Sequence, residues 1–271
     1  MYILGNHRLL CGSSMDEQDF TKLMNGKKAH LVFTDPPYNV NYKSCAGLSY
    51  DSAKYGGSNR KIFNDNLSDA DCIKFYSDTL KNLYKHSLDD TTIYWWYALR
   101  NYELNSAAFG ASDWRISQTI IWIKNAPVLA MGQDYHRVYE PCLVGWKNKK
   151  SHYKDKKVTK YQDLILLDKE NFAEQLDAWY EKRDNINQYL HPTQKPVRLS
   201  ERALKRNSKA GDIVIDAFGG SGSTLIGCEQ LGRKCFLMEL DPKFCDVIVK
   251  RYEKYTGQKA KKISDEKEKR K

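Results

Sequence analysis

The segment DIVIDAFGGSGSTLIGCEQLGRKCFLMEL, residues 212–240, decides how the chain is read. Asp212 to Ala217 is apolar and β-branched like a buried strand, Phe218 to Gly222 is a turn dense in glycine, and Ser223 to Leu231 reads as a helix. Lys234 to Leu240 then reads as a second strand, followed by a helix from Pro242. Strand, tight turn, helix and strand in this order make a βαβ unit, the signature of an α/β protein with a parallel sheet. Such a turn brings main-chain N–H groups and a helix N-terminus up to a ligand, and an acid closing the next strand can bind ribose hydroxyls. Asp216, Phe218, Gly219, Gly220, Ser221, Gly222 and Glu239 are therefore candidates for holding a nucleoside cofactor. Glycine also serves tight turns for steric reasons alone. The order G-x-G-x-x-G is absent, since the glycine after Gly220 and Gly222 is Gly227, which disfavours a dinucleotide dehydrogenase.

Toward the N-terminus, Ala29 to Thr34 reads as a buried strand that enters Asp35-Pro36-Pro37-Tyr38, where two prolines forbid further ladder pairing. A carboxylate beside a carbonyl locked by proline is a rigid pair of acceptors for both hydrogens of an exocyclic amine, and Tyr38 offers a stacking face. The plainer alternative is a strand terminator with a surface tyrosine. In an open α/β sheet this turn and the glycine turn both fall at the carboxyl edge, where ligands bind. Asn39 to Asn66 reads as a long loop of the kind that serves as a lid or binding loop or is disordered.

Between the two motifs, Ser68 is an expected N-cap for a helix to about Ser87, with Asp69 and Asp71 in its first turn. Thr91 to Ala98 reads as a strand whose Tyr94, Trp95, Trp96 and Tyr97 pack on both faces of a central sheet. Helix follows from about Arg100. Arg115 to Lys124 and Arg137 to Lys147 read as an antiparallel hairpin. Asp168 to about Lys182 is expected to be helical, with Phe172, Leu176, Trp179 and Tyr180 on one face, and helix resumes after Pro196. His7, His86 and His136 are scattered singly and read as structural.

The chain has 271 residues, 41% hydrophobic and 12% aromatic, which fits two small domains or one large α/β domain and excludes wholesale disorder. No apolar run is long enough to span a membrane and the N-terminus lacks signal-peptide features, so an intracellular, cytoplasmic protein is expected. Seven cysteines without a C-x-x-C pair argue against a disulfide framework and against a metal site. The net charge of +10 is localised: Lys147 to Lys160 carries +6 and Thr256 to Lys271 carries +4, while the remainder is balanced. Interleaved with His152, Tyr153 and Tyr161, the first stretch suits a polyanion; the second reads as a disordered tail.

Taken together, the two motifs resemble those of the amino-group DNA methyltransferases that use S-adenosyl-L-methionine, in the circularly permuted class where D-P-P-Y precedes the glycine loop. The resemblance runs from Leu4 to about Tyr255. It passes through Gly5 to Leu10, Thr34 to Asn39, Phe63 to Asn66, Trp122-Ile-Lys124, Glu140, His191-Pro-Thr-Gln-Lys-Pro196, Asp216 to Thr224 and Glu239 to Pro242. It implies a Rossmann-like methyltransferase sheet, mostly parallel with an antiparallel hairpin at one edge. It also implies catalytic roles for Asp35, Pro36, Pro37 and Tyr38 on a flipped-out base. Cofactor contacts follow for Asp35, Asp216, Phe218 to Gly222 and Glu239, with Thr193 and Lys195 at the cofactor's carboxylate end.

Asp rather than Ser at position 35 leans toward adenine N6 in this family, with cytosine N4 as the alternative. An RNA or protein amino-group methyltransferase and a catalytically silent nucleic-acid-binding module remain as further readings. Ala217 stands where many members have proline. Double-stranded DNA is the expected partner, with Lys43, Arg60, Lys61, Lys149, Lys150, Lys154, Lys156 and Lys157 as candidate contacts. A homodimer and a cognate restriction endonuclease are the other partners considered. Residues 1–255 are expected to form the catalytic domain, with 148–190 as a target-recognition insertion, of which Ser151 to Tyr189 aligns with nothing in the family, and 256–271 as the tail.

Overall fold

The computed structural model describes residues 1–41, 62–128, 134–147, 151–155, 169–183 and 194–263. In chain order the strands are β1 (Tyr2–Leu4), β2 (His7–Cys11), β3 (Ala29–Thr34), β4 (Ser87–Trp96), β5 (Trp114–Val128), β6 (Arg137–Lys147), β7 (Ala178–Tyr180), β8 (Ile213–Asp216), β9 (Lys234–Glu239) and β10 (Lys261–Lys262). The helices are α1 (Glu17–Met24), α2 (Asp69–Lys85), α3 (Tyr102–Gly110), α4 (Lys169–Glu174), α5 (Val197–Asn207), α6 (Ser223–Gln230) and α7 (Pro242–Thr256). A short 3-10 turn, Leu99–Asn101, precedes α3.

One sheet runs β10-β1-β2-β9-β8-β3-β4-β6-β5-β7. Its centre, β2 to β4, is parallel, and β6 reverses direction against both β4 and β5 to make the expected hairpin. Alternation along the strands sorts the core into two layers. Val32, Ile93, Trp95 and Ile215 face Phe20, Phe75, Leu80 and Phe109 of α1 to α3. Leu31, Tyr94, Trp96 and Val214 face Leu199, Leu204, Leu225 and Ile248 of α5 to α7. Local signals set the helix starts: the Ser68 hydroxyl accepts from Asp71 N, and Asp241 caps α7 ahead of Pro242. β3 leads through α2 to β4 on one side, whereas β8 leads through α6 to β9 on the other, so the chain order reverses between β3 and β8. Such a reversal opens a crevice above the carboxyl ends of the two strands.

Two expectations are corrected. The stretch from Asp168 to Lys182 is not one helix: α4 ends at Glu174, and Ala178 to Tyr180 pair in parallel with Ile121 to Ile123 of β5. Trp179 is buried there against Tyr94 and Trp96, and a long-range pairing of this kind overrides helical periodicity. The tail does not start as unstructured chain: Gly257 closes α7, and Lys261 and Lys262 pair with Ile3 and Tyr2. Residues 1–28, to which no elements had been ascribed, supply β1, β2 and α1, placing Leu9 and Leu10 in the two core layers. No helix among the described residues is long and apolar enough to cross a membrane.

Candidate active site

The two motif turns meet at the β3/β8 crevice, bracketed by Asp216. Its Oδ1 accepts from Thr34 Oγ1 at 2.9 Å and Phe218 N at 3.1 Å, and its Oδ2 accepts from Thr224 Oγ1 at 2.7 Å. Thr34 Oγ1 in turn accepts from Ala217 N. Burial pushes the Asp216 carboxyl up to about 7 against the pull of these donors. Asp216 thus ties the end of β3 to the start of α6 across the glycine turn. Glu239, at the end of β9, accepts from Gly220 N at 2.8 Å and Asp241 N at 2.9 Å, and burial raises its carboxyl as well. Gly222, at φ +78°, packs against Ile248 and is the αL residue that starts α6.

The acceptor turn is pinned from three sides. Tyr76 OH of α2 donates to Pro37 O at 2.5 Å, and Asn101 Nδ2 donates to the carbonyls of Tyr38 and Asn39. The Asn39 side chain bridges the N–H and C=O of Leu67. The two oxygens of Asp35 differ: Oδ2 accepts from Lys195 Nζ at 2.5 Å, while Oδ1 is buried without a partner. Burial raises the Asp35 carboxyl, with the Lys195 ammonium opposing. Lys195 Nζ also donates to Tyr38 OH at 2.7 Å and lies 3.4 Å from Glu140 Oε2. Glu140 Oε1 pairs with Lys124 on the adjacent strand of the hairpin. Burial alone would raise Glu140, but the ammoniums of Lys195 and Lys124 hold it near 2.

A cavity of about 550 Å³ runs over both turns. It is lined at one end by Ser13, Ser14, Gly220, Glu239 and Asp241, and at the other by Tyr38, Trp122, Lys124, Glu140 and Arg183. Asp35, Pro36, Pro37, Lys195, Asp216, Phe218, Gly219 and Ser221 also line it. Thr193 lies outside the described residues, as do Lys43, Arg60, Lys61, Lys149, Lys150, Lys156 and Lys157.

Two placements depart from expectation. Lys195 does not point its ammonium at the glycine turn; a buried ammonium needs counter-charges, and Asp35 and Glu140 supply them. Exposed Lys154 sits away from the cavity, at the opposite edge of the sheet. Its neighbours Tyr153 and Asp155 bond Asp90 near the start of β4 and Arg206 and Asn207 at the end of α5. Lys147 itself is buried, with Nζ donating to Ser87 O at 2.8 Å over the Tyr84 ring.

Residues that carried no role at the level of sequence complete the site: Tyr76, Asn101, Lys124 and Glu140. For the last two a signal existed. Trp122 pairs with Glu140 across the hairpin, so Lys124, two residues on, lies on the same face, and two opposite charges facing inward on apolar strands mark a site rather than a core.

A family model described as DNA methylase, of the N6/N4 type, matches residues 29–250. The Type II methyltransferase M2.DpnII of Streptococcus pneumoniae is 26% identical over 249 residues, covering 88% of this chain and 87% of its own. The crystal structure of an M1.HpyAVI–SAM complex shares the fold with a TM-score of 0.60 at 18% identity, covering 90% of this chain and 99% of its own. PvuII DNA methyltransferase, cytosine-N4-specific, does so with a TM-score of 0.66 at 15% identity, covering 93% and 91%. The family match takes in both motif turns, the hairpin that carries Lys124 and Glu140, and most of α7, and the chain therefore belongs to the N6/N4 family of DNA methylases.

Proposed function

We propose that the protein transfers a methyl group from S-adenosyl-L-methionine to the N6 amine of an adenine swung out of double-stranded DNA. The observation that carries this reading is Asp35 Oδ1, a buried carboxylate oxygen with no partner, on the same turn as Pro36, which lines the cavity with it. An orphaned acceptor of this kind is costly unless a ligand donor completes it. The cofactor fits the other end of the cavity, where Glu239 can accept from ribose hydroxyls beside the main-chain amides of the glycine turn. When bound, it supplies a methyl group activated by a sulfonium.

The chain's own residues supply placement and polarisation. An aromatic amine is a weak nucleophile because its lone pair is delocalised into the ring. Acceptors on both hydrogens, Asp35 Oδ1 and the Pro36 carbonyl, favour the tetrahedral nitrogen whose lone pair points at the methyl carbon. Tyr38 gives the base a face to stack on, offsetting part of the few kcal/mol that unstacking costs. As the N–C bond forms, the nitrogen sheds one proton, and Asp35 is the carboxylate next to it.

Asp at position 35 favours adenine. Cytosine N4 is the second reading, because its amine presents the same two hydrogens and the cytosine-N4-specific PvuII enzyme has the same fold. Incubating DNA with the protein and isotope-labelled cofactor, then analysing nucleosides by mass spectrometry, tests both. Label in N6-methyladenine is the expected result, label in N4-methylcytosine selects the second reading, and no label in any base rejects both.

We put the DNA over the end of the cavity where Arg137 and Arg183 lie with Lys124 and Tyr38, since the glycine-turn end holds the acidic Glu239 and Asp241. Arg137 Nε is buried without a partner. Arg137→Gln and Arg183→Gln are each expected to weaken duplex binding and reduce the magnitude of the salt slope, d log K/d log [salt], by about 1. Lys154→Gln, at the far edge, should leave the slope unchanged. Fluorescence anisotropy at several salt concentrations checks this, and the opposite ranking would move the DNA to the other edge.

A further inference from the structure

The ammonium of Lys195 is committed to the acceptor turn, while its main chain is committed to the other half of the site. The Lys195 carbonyl accepts from Ser223 Oγ at 2.7 Å, at the first residue of α6, directly after the glycine turn. Its Nζ reaches Asp35 Oδ2 and Tyr38 OH and lies 5.1 Å from the centres of both the Tyr38 and Trp96 rings. A carboxylate with two free oxygens can turn about its terminal torsion, which is broad and two-fold. An ammonium on one oxygen stops that rotation. We propose that Lys195, braced by Glu140, is the positioning residue for the acceptor turn: it takes Asp35 Oδ2 and so leaves Oδ1 as the carboxylate oxygen that meets the target amine. This rests on the methyl-transfer reading above.

Glu140 makes the arrangement hold. Its Oε2 accepts from Tyr38 OH at 3.3 Å and lies within ion-pair range of Lys195, while Oε1 is held by Lys124. Two ammoniums and two carboxylates thereby balance in a buried cluster, and Lys195 is kept from closing over both oxygens of Asp35. The titratable groups facing Asp35 are Lys195 ahead of α5, Glu140 and Cys142 of β6, Tyr38 on its own turn, Tyr76 of α2 and Asp216 of β8. Of these, Lys195 favours the ionised carboxylate and Glu140 opposes it.

The test follows from those opposite signs. If ionised Asp35 accepts from the amine, transfer is lost as pH falls through the Asp35 pKa. Removing the Lys195 cation raises that pKa, and removing the Glu140 anion lowers it. In single-turnover methylation of duplex DNA, Lys195→Gln is therefore expected to move the acid limb up by about 1 pH unit and Glu140→Gln to move it down. Both should reduce the plateau rate, with cofactor affinity by calorimetry unchanged within about threefold. Lys195→Arg, which keeps the cation, should restore the limb.

A wild-type protein that labels no base amine rejects the methyl-transfer reading itself. A wild type that labels DNA, with limbs in the two variants unmoved or moved in the same direction, overturns the positioning role alone. Where Lys195→Gln fails to fold, Glu140→Gln carries the test: a downward limb supports the proposal and an unmoved limb overturns it.

Discussion

Asp35→Ala is expected to lower single-turnover methyl transfer by about 10²- to 10³-fold, the range seen when one preorganised group facing the reacting centre is removed. Cofactor affinity should hold within about threefold, because the glycine turn is held by Met238, Glu239 and Asp216, none of which bonds Asp35. Stability should fall modestly. Lys195 keeps Tyr38 OH and Glu140, so its ammonium is not left without counter-charge, and the loss is of the order of 1–3 kcal/mol. Asp35→Asn is the sharper variant. The Lys195 ammonium selects the amide oxygen, which turns the amide NH2 into the position of Oδ1, where a donor would face a donor. Asn at this position is therefore expected to be nearly as inactive as Ala despite its matching size. Rates, calorimetric affinity and a thermal melt separate these effects; an Asp35→Ala protein with full activity would sink the mechanism.

What could be read from the sequence was local. The glycine turn of 218–222 and the two prolines after Asp35 announce themselves within a few residues, because chain geometry there depends on residue type and little else. The same holds for the Ser68 cap and for the hairpin. What escaped depends on partners far along the chain. Trp179 became a strand residue because the open side of β5 lies beside it. β1 and β2 are three and five residues long, too short to show a period, and gain their structure from β9 and β10.

Lys195 belongs to the same class, its carboxylate partner lying 160 residues away. A lysine beside a cofactor motif reads as a cofactor ligand until the sheet brings Asp35 and Glu140 to it. Of the basic stretch 147–160 only Lys147 and Lys154 fall among the described lysines, and both lie away from the site for a related reason. The +6 stretch starts with a buried lysine, and its described remainder packs at the amino-terminal edge, because β6 runs away from the site. Net charge locates a polyanion only once strand direction is known.

Gly219→Leu is expected to weaken S-adenosyl-L-methionine binding by about 100-fold or more, equivalent to about 2.7 kcal/mol. A Cβ at this position would stand 3.0 Å from Ile248 Cδ1, 3.2 Å from Leu237 Cδ1 and 3.3 Å from Met238 O. The first two are ends of side chains and can shift, but the third is the main chain of β9 one residue before Glu239. Three further carbons must displace the turn, costing about 1–3 kcal/mol in stability and breaking the Gly219 N to Met238 O bond of 2.7 Å. Gly220 then loses its contact with Glu239, and the amides and the carboxylate of the cofactor end no longer converge. Gly219→Ala separates close packing from bulk: its single methyl meets mainly the movable Ile248 terminus, so a loss of only a few-fold is expected. Ile248→Ala in the Gly219→Leu background makes room at the nearest contact and should recover part of the affinity, whereas a defect in charge or hydrogen bonding would not respond. Titration calorimetry on the four proteins, with melts to verify folding, decides the matter, and Gly219→Leu binding within threefold of wild type would remove the glycine turn from the cofactor site.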